Sequence, residues 1–203
     1  MSRDLQGITR DWQLLGQSLI DGVALKEVAN VMSGYGVLTE IYRSDWGLDA
    51  MPVTQVFQSS LNPGGISGWH AHGETTDRLF VSTGTMRIVL YDSRRSSPTY
   101  KGVNEFRLGV QRPALVVIPP GVWHAVENTC ATPSLLLNAV DVAYRYESPD
   151  HFRLPIDTPH IPYRFQNRPG RRPADRGRGV EDDSPHGRTG RGVHALGEAL
   201  RLG

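Results

Sequence analysis

Three observations predict that this 203-residue sequence folds as an all-β domain, a sandwich or barrel. Nine short segments are rich in β-branched and aromatic residues, and Gly, Pro, Asn or Asp separate them. They follow one another at intervals of about 8–12 residues, as in sandwiches and barrels. The sequence between them lacks the helical periodicity that a βαβ fold requires. The predicted strands are Gly36–Arg43, Val53–Ser60, Ser67–His72, Asp77–Ser82, Thr85–Tyr91, Val103–Leu108, Ala114–Ile118, Val122–Glu127 and Ser134–Tyr146.

The clearest local signal is a hairpin in which two apolar strands meet at Gly84. The N-terminal residues 1–35 are interpreted as a lead-in, because their pattern is weaker. Within them, residues 21–31 could form a short helix or an irregular strand, and the sequence does not decide between the two. Residues 36–166 then form the barrel.

The C-terminal residues 167–203 differ from the rest in composition and charge. They hold eight arginines, five acidic residues and eight glycines, a local charge of +3, whereas the whole chain carries only +1. Few large apolar residues occur there, so little burial is available to offset the entropy of ordering. We therefore expect a disordered Arg/Gly-rich tail.

Composition also excludes several classes of protein. The single cysteine, Cys130, rules out an internal disulfide framework and a cysteine-based zinc module. No apolar run approaches the roughly 18 residues of a membrane helix, and the N-terminal residues lack the apolar core of a signal peptide. We expect a cytoplasmic protein with no membrane partner, and the near-neutral total charge makes a nucleic-acid partner an unfavoured reading.

Histidines and an aspartate recur at a spacing that suits a metal ion. His70 and His72 are two residues apart on a predicted strand, so both side chains point to the same face. Asp77 opens the next strand, and His124 follows a Pro-Pro-Gly corner on a later one. In a small barrel the inward faces converge, so these four residues are predicted to hold one divalent cation such as Fe, Mn, Ni, Cu or Zn.

The same residues lie in two segments that resemble the cupin motifs. The first, G-x5-H-x-H-x4-E-x6-G, is matched from Gly64 to Gly84, with Asp77 in the place of the glutamate. The second, P-x-G-x2-H-x3-N, is matched from Pro119 to Asn128. The resemblance implies a cupin jelly-roll barrel.

Among cupins, the chain resembles the dTDP-4-dehydrorhamnose 3,5-epimerase (dTDP-sugar epimerase) family over residues 20–165 or so. That family implies a homodimer and a sugar or nucleotide-sugar substrate. The stretches that carry the resemblance are Gly36–Trp46, Gly84–Tyr100, Ile118–His124, Ser148–His151 and Ile156–Pro159.

The catalytic residues of the family carry over only in part. Its base falls on His70, its acid tyrosine on Asp141 with Tyr144 and Tyr146 nearby, and the carboxylate that orients the base on Asp157. The family's substrate-gripping positions differ, because an arginine falls on Ser67, a glutamine on His72, a lysine on Asp77 and a second arginine on Phe80. Cationic groups are thus replaced by metal-ligand types.

The leading hypothesis is a metal-dependent epimerase-like enzyme that moves a proton next to a carbonyl group. His70 is then either the base or a metal ligand, since one imidazole cannot serve as both. An Fe(II)-dependent dioxygenase or other oxidoreductase uses the same ligand types, and a non-catalytic small-molecule-binding cupin is a third reading.

Other residues are assigned ordinary roles. Trp69 and Trp123 adjoin predicted ligands and therefore point to the opposite face, where core or dimer packing is expected. Arg94 is expected in a solvated turn, and His151 and His160 are expected to be ordinary residues of the C-terminal lead-out.

Overall fold

The computed structural model describes residues 6–11 and 15–165, and the predicted tail lies outside these residues. The described residues form an almost entirely β structure, with one short 3-10 turn at Ser44–Trp46. None of the helices in the described part of the chain has the length and apolar character to cross a membrane. The twelve strands are β1 (Ala24–Glu27), β2 (Asn30–Ser33), β3 (Gly36–Thr39), β4 (Gln55–Leu61), β5 (Trp69–Ala71), β6 (Asp77–Thr83), β7 (Thr85–Asp92), β8 (Val103–Gly109), β9 (Ala114–Ile118), β10 (Val122–Asn128), β11 (Ser134–Val140) and β12 (Phe152–Leu154).

Two five-stranded antiparallel sheets form the barrel. The first sheet has the strand order β1-β9-β6-β11-β4, and the second has the order β12-β5-β10-β7-β8. Strands β2 and β3 form a separate two-stranded hairpin. This arrangement is the jelly roll predicted from the sequence.

The main hydrophobic core includes inward-facing residues of both sheets, such as Val81, Ile88, Phe106 and Val116. Each is at most 2% exposed, because strand alternation turns every second side chain inward. The outer face of each sheet is covered as well, so β10 is buried along its whole length. Each sheet is therefore fixed from both sides, which holds the inward-facing residues in place.

Trp69 and Trp123 pack on the outer face of the second sheet, as their alternation with histidines predicts. Both are buried in a cluster with Tyr91, covered by the C-terminal segment that includes Ile161. The ring of Trp69 also meets that of Tyr163 edge-on, with the centroids 6.2 Å apart. These tryptophans are core residues and face away from the histidines.

The N-terminal lead-in contributes to the barrel. Of the two alternatives for residues 21–31, strand structure is the one that forms: β1 pairs antiparallel with β9, and β2 pairs with β3. Asn104 fixes the preceding segment, because its side chain accepts a hydrogen bond from the Ile20 amide at 2.9 Å and donates to the Ser18 carbonyl at 2.9 Å. Tertiary contacts thus order a stretch whose local pattern is weak.

Most predicted strands form with ends within one or two residues of the expected positions. Two end several residues earlier than predicted: the strand from Gly36 ends at Thr39, and the strand from Ser134 ends at Val140. At the second end, the Asp141 carboxylate accepts a hydrogen bond from the Thr76 amide at 2.8 Å. The chain then leaves the sheet as a loop that runs to His151.

The hairpin predicted at Gly84 does not form, because β6 and β7 meet at Gly84 but belong to different sheets and do not pair with each other. The tight turn at Gly84 instead carries the chain from the first sheet to the second. Gly84 has φ of +76°, a conformation that residues with a Cβ rarely adopt. A Cβ there would also lie 2.1 Å from the Ser134 hydroxyl oxygen. Both the turn and its packing therefore require glycine.

The loop after β7 is built around the buried carboxylate of Asp92, which is 0% exposed. Arg94 pairs with it at 2.9 Å, and the hydroxyls of Ser97 and Thr99 donate to it at 2.6 and 2.8 Å. Burial acts to raise the pKa of Asp92, but these hydrogen bonds outweigh it and lower the pKa to about 2. Arg94 does lie in a largely exposed turn, as expected, but its side chain is half-buried and paired with Asp92 and is not simply solvated.

Candidate active site

A cavity of about 450 Å³ opens between the two sheets, at the end where β6 begins. Its walls come from both sheets and from the loop that follows β11. Apolar side chains such as Leu79, Val126 and Leu136 line the cavity, and its polar groups include four histidines, two carboxylates and two amides.

Strand alternation brings the motif histidines into this cavity. His70 lies between Trp69 and Ala71, which belong to the outer cluster, so its side chain points inward. His124 is the direct cross-strand partner of His70 in the β5–β10 pair, and the two rings have centroids 4.3 Å apart. Two residues from distant parts of the sequence are thereby placed side by side.

The Pro-Pro-Gly corner fixes the approach to His124. Gly121 has φ of +80°, and a Cβ there would lie 3.1 Å from the stem of Arg94. The Gly121 amide donates a 2.7 Å hydrogen bond to the carbonyl oxygen of His72. The second motif is therefore tied directly to the first.

Three of the predicted ligands converge: His72, Asp77 and His124 each offer one ligand atom, and these atoms lie within 4.8 Å of one another. The Asp77 Oδ2 atom is 3.4 Å from His72 Nε2 and 3.6 Å from His124 Nε2. Asp77 and His124 are each 2% exposed. This group is called the His/Asp triad below.

The other atoms of the triad residues have partners that orient them. His72 Nδ1 contacts the Asp150 carbonyl oxygen, and His124 Nδ1 is 3.3 Å from the Val122 carbonyl oxygen. Asn138 donates a 2.6 Å hydrogen bond to Asp77 Oδ1. Each histidine thus turns Nε2, and Asp77 turns Oδ2, toward a common point.

Two further imidazoles, those of His70 and His151, lie against the triad. The His151 centroid is 5.1 Å from that of His72 and 5.3 Å from that of His70. His70 Nδ1 and His151 Nε2 are buried, and neither has a hydrogen-bond partner among the described residues. Unpartnered buried nitrogens are uncommon, and they mark groups available to a ligand.

The lowered pKa values of His70, His124 and His151 keep these three imidazoles neutral at neutral pH. Burial, with a smaller contribution from His124, lowers the pKa of His70 to about 2. Burial followed by the neighbouring His72 lowers the pKa of His124 to about 3 and that of His151 to about 4. For Asp77, burial raises the pKa above its usual value, although His72 and Asn138 act in the opposite direction.

The donor set fits a divalent cation. Neutral imidazole nitrogens with one carboxylate are ligands that Fe, Mn, Ni and Zn accept. At metal sites a ligating histidine commonly donates its other ring N–H to a backbone carbonyl, and both triad histidines face a carbonyl in this way. The triad could therefore hold a metal, with His70 and His151 beside it.

Of the remaining predicted site residues, Tyr144 lines the cavity, whereas Asp141 and Asp157 do not. Asp141 is buried and accepts the Thr76 amide, and it does not line the cavity. Asp157 is exposed in a turn after β12 and is likewise outside the lining. Tyr144 does line the cavity at its rim, where half of its side chain is exposed.

Three residues of the site were not assigned from the sequence. His151 was expected to be ordinary, although its neighbour Asp150 belongs to a stretch that resembles the epimerase family. Asn138 and Asp150 act on triad residues through hydrogen bonds that depend on tertiary structure. A local signal exists only for Asn138, a polar residue that interrupts an apolar strand.

A jelly-roll barrel with two cupin motifs meeting at a histidine-lined cavity defines the class: the protein is a cupin. The sequence profile of the dTDP-4-dehydrorhamnose 3,5-epimerase family matches residues 17–167. The chain therefore belongs to that family, as its motifs predict.

Individual relatives agree with this assignment. A probable low-salt glycan biosynthesis epimerase of Haloferax volcanii is 34% identical over 123 residues, which is 60% of this chain and 79% of the relative. A spore coat polysaccharide biosynthesis protein of Bacillus subtilis is 31% identical over 147 residues, 72% of this chain and 97% of the relative. The crystal structure of a dTDP sugar isomerase from Desulfovibrio desulfuricans has a TM-score of 0.66 and 29% identity, covering 71% of this chain and 90% of that one.

Proposed function

We propose that the protein is an epimerase or isomerase that moves a proton on the carbon next to the carbonyl of a nucleotide-linked keto sugar. The observation that carries the proposal is the unpartnered, buried imidazole of His70 in the cavity, at the position of the family's base. The family relationship supports the substrate class, because its named members are dTDP-sugar isomerases and epimerases.

His70 is the base in this scheme. Its neutral imidazole takes the proton from the carbon, so that the C–H bond breaks, an N–H bond forms and the electron pair moves to the carbonyl oxygen. The negative charge that forms on the substrate stabilises the imidazolium and so opposes the effect of burial on the pKa of His70. Since the triad needs only His72, Asp77 and His124, His70 remains free for this role. The electron pair then returns from the oxygen to the carbon, which takes a second proton on its opposite face from the Tyr144 hydroxyl at the rim, and the centre is inverted. The imidazolium of His70 loses its proton to solvent and the tyrosinate of Tyr144 regains one, which restores both groups.

In the same scheme His72, Asp77 and His124 would hold a divalent metal. Such a metal would supply Lewis-acid stabilisation of the negative charge that develops on the carbonyl oxygen. Asn138 orients Asp77 toward the two imidazoles, and the apolar side chains of Leu79 and Val126 exclude water from the base.

Arginines at the cavity support an anionic substrate. Ser67 and Asp77 stand where the family has cationic residues, but Arg145 and Arg153 line the cavity from the loop and from β12. Arg145 is paired with Glu74, and Arg153 is exposed. Two guanidinium groups suit the diphosphate of a nucleotide sugar.

Solvent deuterium tests the proton chemistry. Incubation of dTDP-4-dehydrorhamnose with the metal-loaded protein in D2O is expected to place deuterium next to the carbonyl, detected by mass spectrometry. His70→Asn is expected to slow exchange by about 100-fold or more, since general bases contribute on that order. His160→Asn, an exposed histidine outside the cavity, is the matched control. Lack of exchange with this probe and a panel of keto sugars would contradict the proposal and leave the non-catalytic binding reading.

The second candidate is an Fe(II)-dependent oxidoreductase. Two histidines and one carboxylate are the ligand set of many non-haem iron oxygenases, which favours this reading. Oxygen uptake by the iron-loaded protein with a small organic substrate, and lack of deuterium exchange, would favour it over the epimerase.

A homodimer completes the proposal. The β2–β3 hairpin projects apolar side chains into solvent, with Met32 at 77% and Tyr35 at 92% exposed. Strand β4 is the free edge of the first sheet, and its residues Val56 and Phe57 are also exposed. Pairing of a second copy along β4 would cover Val56 and Phe57 and bring that copy beside the cavity, which Phe57 lines. Contact of a second copy with the hairpin would cover Met32 and Tyr35.

Light scattering after size-exclusion chromatography tests the assembly. The wild type is expected to elute with twice the chain mass, and Met32→Lys with Leu38→Lys is expected to shift it toward monomer. Glu40→Lys, an exposed change of the same sign beyond β3, controls for added charge. A monomeric wild type would contradict the dimer.

A further inference from the structure

One residue links the turn between two triad members to the segment beyond β11. Asp150 lies 78 positions after His72, just before His151 and β12. Both its carboxylate and its carbonyl are used, and both are directed at residues 72–75.

The carboxylate collects donors from that turn. The amides of Gly73, Glu74 and Thr75 donate to it at 2.7, 2.9 and 2.9 Å, and the Thr75 hydroxyl donates at 2.8 Å. Burial alone would raise the pKa of Asp150, but the donating amides of Glu74 and Gly73 lower it below the usual value. Through these four hydrogen bonds the carboxylate anchors the four-residue connection between His72 and Asp77.

The carbonyl acts on His72 itself. Because it contacts His72 Nδ1, the ring carries its proton there and presents a bare Nε2, which faces Asp77 Oδ2 at 3.4 Å. The two functions reinforce each other, since the anchored carboxylate fixes where the carbonyl lies.

We propose that Asp150 is the positioning residue of the triad, setting the Nδ1–H tautomer of His72 and the distance from His72 to Asp77. The inference rests on the proposed metal site for its effect on metal binding. Its effect on the His72 ring can be measured without any metal.

Two readouts on Asp150→Ala test the assignment. In metal-free protein with ¹⁵N-labelled histidine, NMR is expected to show His72 as the Nδ1–H tautomer in the wild type and as a mixture in the variant. By calorimetry, Zn²⁺ affinity is expected to fall by about 10–100-fold, the usual effect of losing a group that orients a ligand. Asp150→Asn keeps one acceptor oxygen, so its Zn²⁺ affinity is expected to lie between those of the wild type and Asp150→Ala.

Glu147→Ala is the matched control. It removes an exposed carboxylate from the same loop, so it reports the effect of charge alone. Equal losses of affinity in Glu147→Ala and Asp150→Ala would overturn the positioning role, and so would an unchanged His72 tautomer in Asp150→Ala. If the wild type binds no Zn²⁺ but the His72 tautomer still differs between the wild type and Asp150→Ala, the metal site is overturned and the positioning of His72 by Asp150 is upheld.

Discussion

Asp77 and Asp92 are two carboxylates at nearly the same depth, 2% and 0% exposed, yet their surroundings differ completely. Asp92 receives the guanidinium of Arg94, two hydroxyls and a backbone amide, and its pKa is lowered to about 2. Asp77 has one amide donor, from Asn138, and two imidazoles at 3.4–3.6 Å, and burial raises its pKa.

The difference separates a structural carboxylate from a functional one. All the acceptor capacity of Asp92 is used to fold the loop after β7. Asp77 keeps an oxygen directed at two imidazole nitrogens, an arrangement that stability alone would not favour, because a buried charge needs full compensation. The incomplete hydrogen bonding of the buried Asp77 carboxylate therefore distinguishes the candidate active site from the Asp92 loop.

The largest expected effect on stability is at Asp92. In Asp92→Asn an NH2 group faces donors from Arg94, Ser97 or Thr99, so we expect a loss of about 3 kcal/mol in the free energy of unfolding. Urea denaturation measures it, with the exposed Glu147→Gln as control. A loss of less than about 1 kcal/mol in the free energy of unfolding of Asp92→Asn would contradict the structural role assigned to Asp92.

Of the two carboxylates, only Asp77 is expected to contribute to stabilisation of the protein by added metal. Zn²⁺ at about 100 times its Kd should stabilise the wild type by about 2.7 kcal/mol, because it binds only the folded state. Asp77→Asn is expected to lose this gain, while Asp92→Asn keeps it, as thermal denaturation with and without Zn²⁺ would show. Equal stabilisation of both variants would place the metal elsewhere.

Acid is expected to weaken the Asp92 loop. Its pKa is 3.8 in the reference state and about 2 in the fold, so the ionised carboxylate stabilises the protein above pH 3.8. That contribution, about 2 kcal/mol, is lost as the pH falls from 3.8 toward 2. The difference in unfolding free energy between wild type and Asp92→Asn should shrink by this amount between pH 5 and pH 2, and a constant difference would contradict the lowered pKa.

The smallest expected effect concerns Asn138, which accepts the Arg78 amide and donates to Asp77. Asn138→Ala leaves Asp77 without its amide donor, so we expect a loss of about 1.5 kcal/mol in unfolding free energy. Chemical denaturation measures it beside Gln58→Ala, an exposed residue of the neighbouring strand β4. A change no larger than that of the control would mean that Asp77 has no need of this donor.

The fold and the triad follow from short-range patterns in the sequence. Alternation places His70 and His72 on one face. The motif spacing places Asp77 at the start of β6 in the first sheet and His124 on β10 in the second sheet, and both side chains face the cavity between the sheets. Alternation also predicts that Trp69 and Trp123 face outward, which is confirmed.

What the sequence does not reveal depends on contacts across the fold. Strand β1 is weakly patterned and forms because β9 offers an edge to pair with. His151 enters the cavity because the Asp150 carboxylate binds a turn some 75 residues earlier. No periodicity records such a contact, so residue type alone suggested an ordinary histidine.

The single cross-strand pair of His70 with His124 also bears on how the site comes into being. A register slip of one residue between β5 and β10 would bring Trp123 to the cavity and turn His124 outward. The ligands and the base come from segments between residues 70 and 151 whose contacts are almost all non-local, so they meet only when the barrel closes. A cation bound at the triad would therefore be captured after the barrel closes, once His124 lies beside His72 and Asp77.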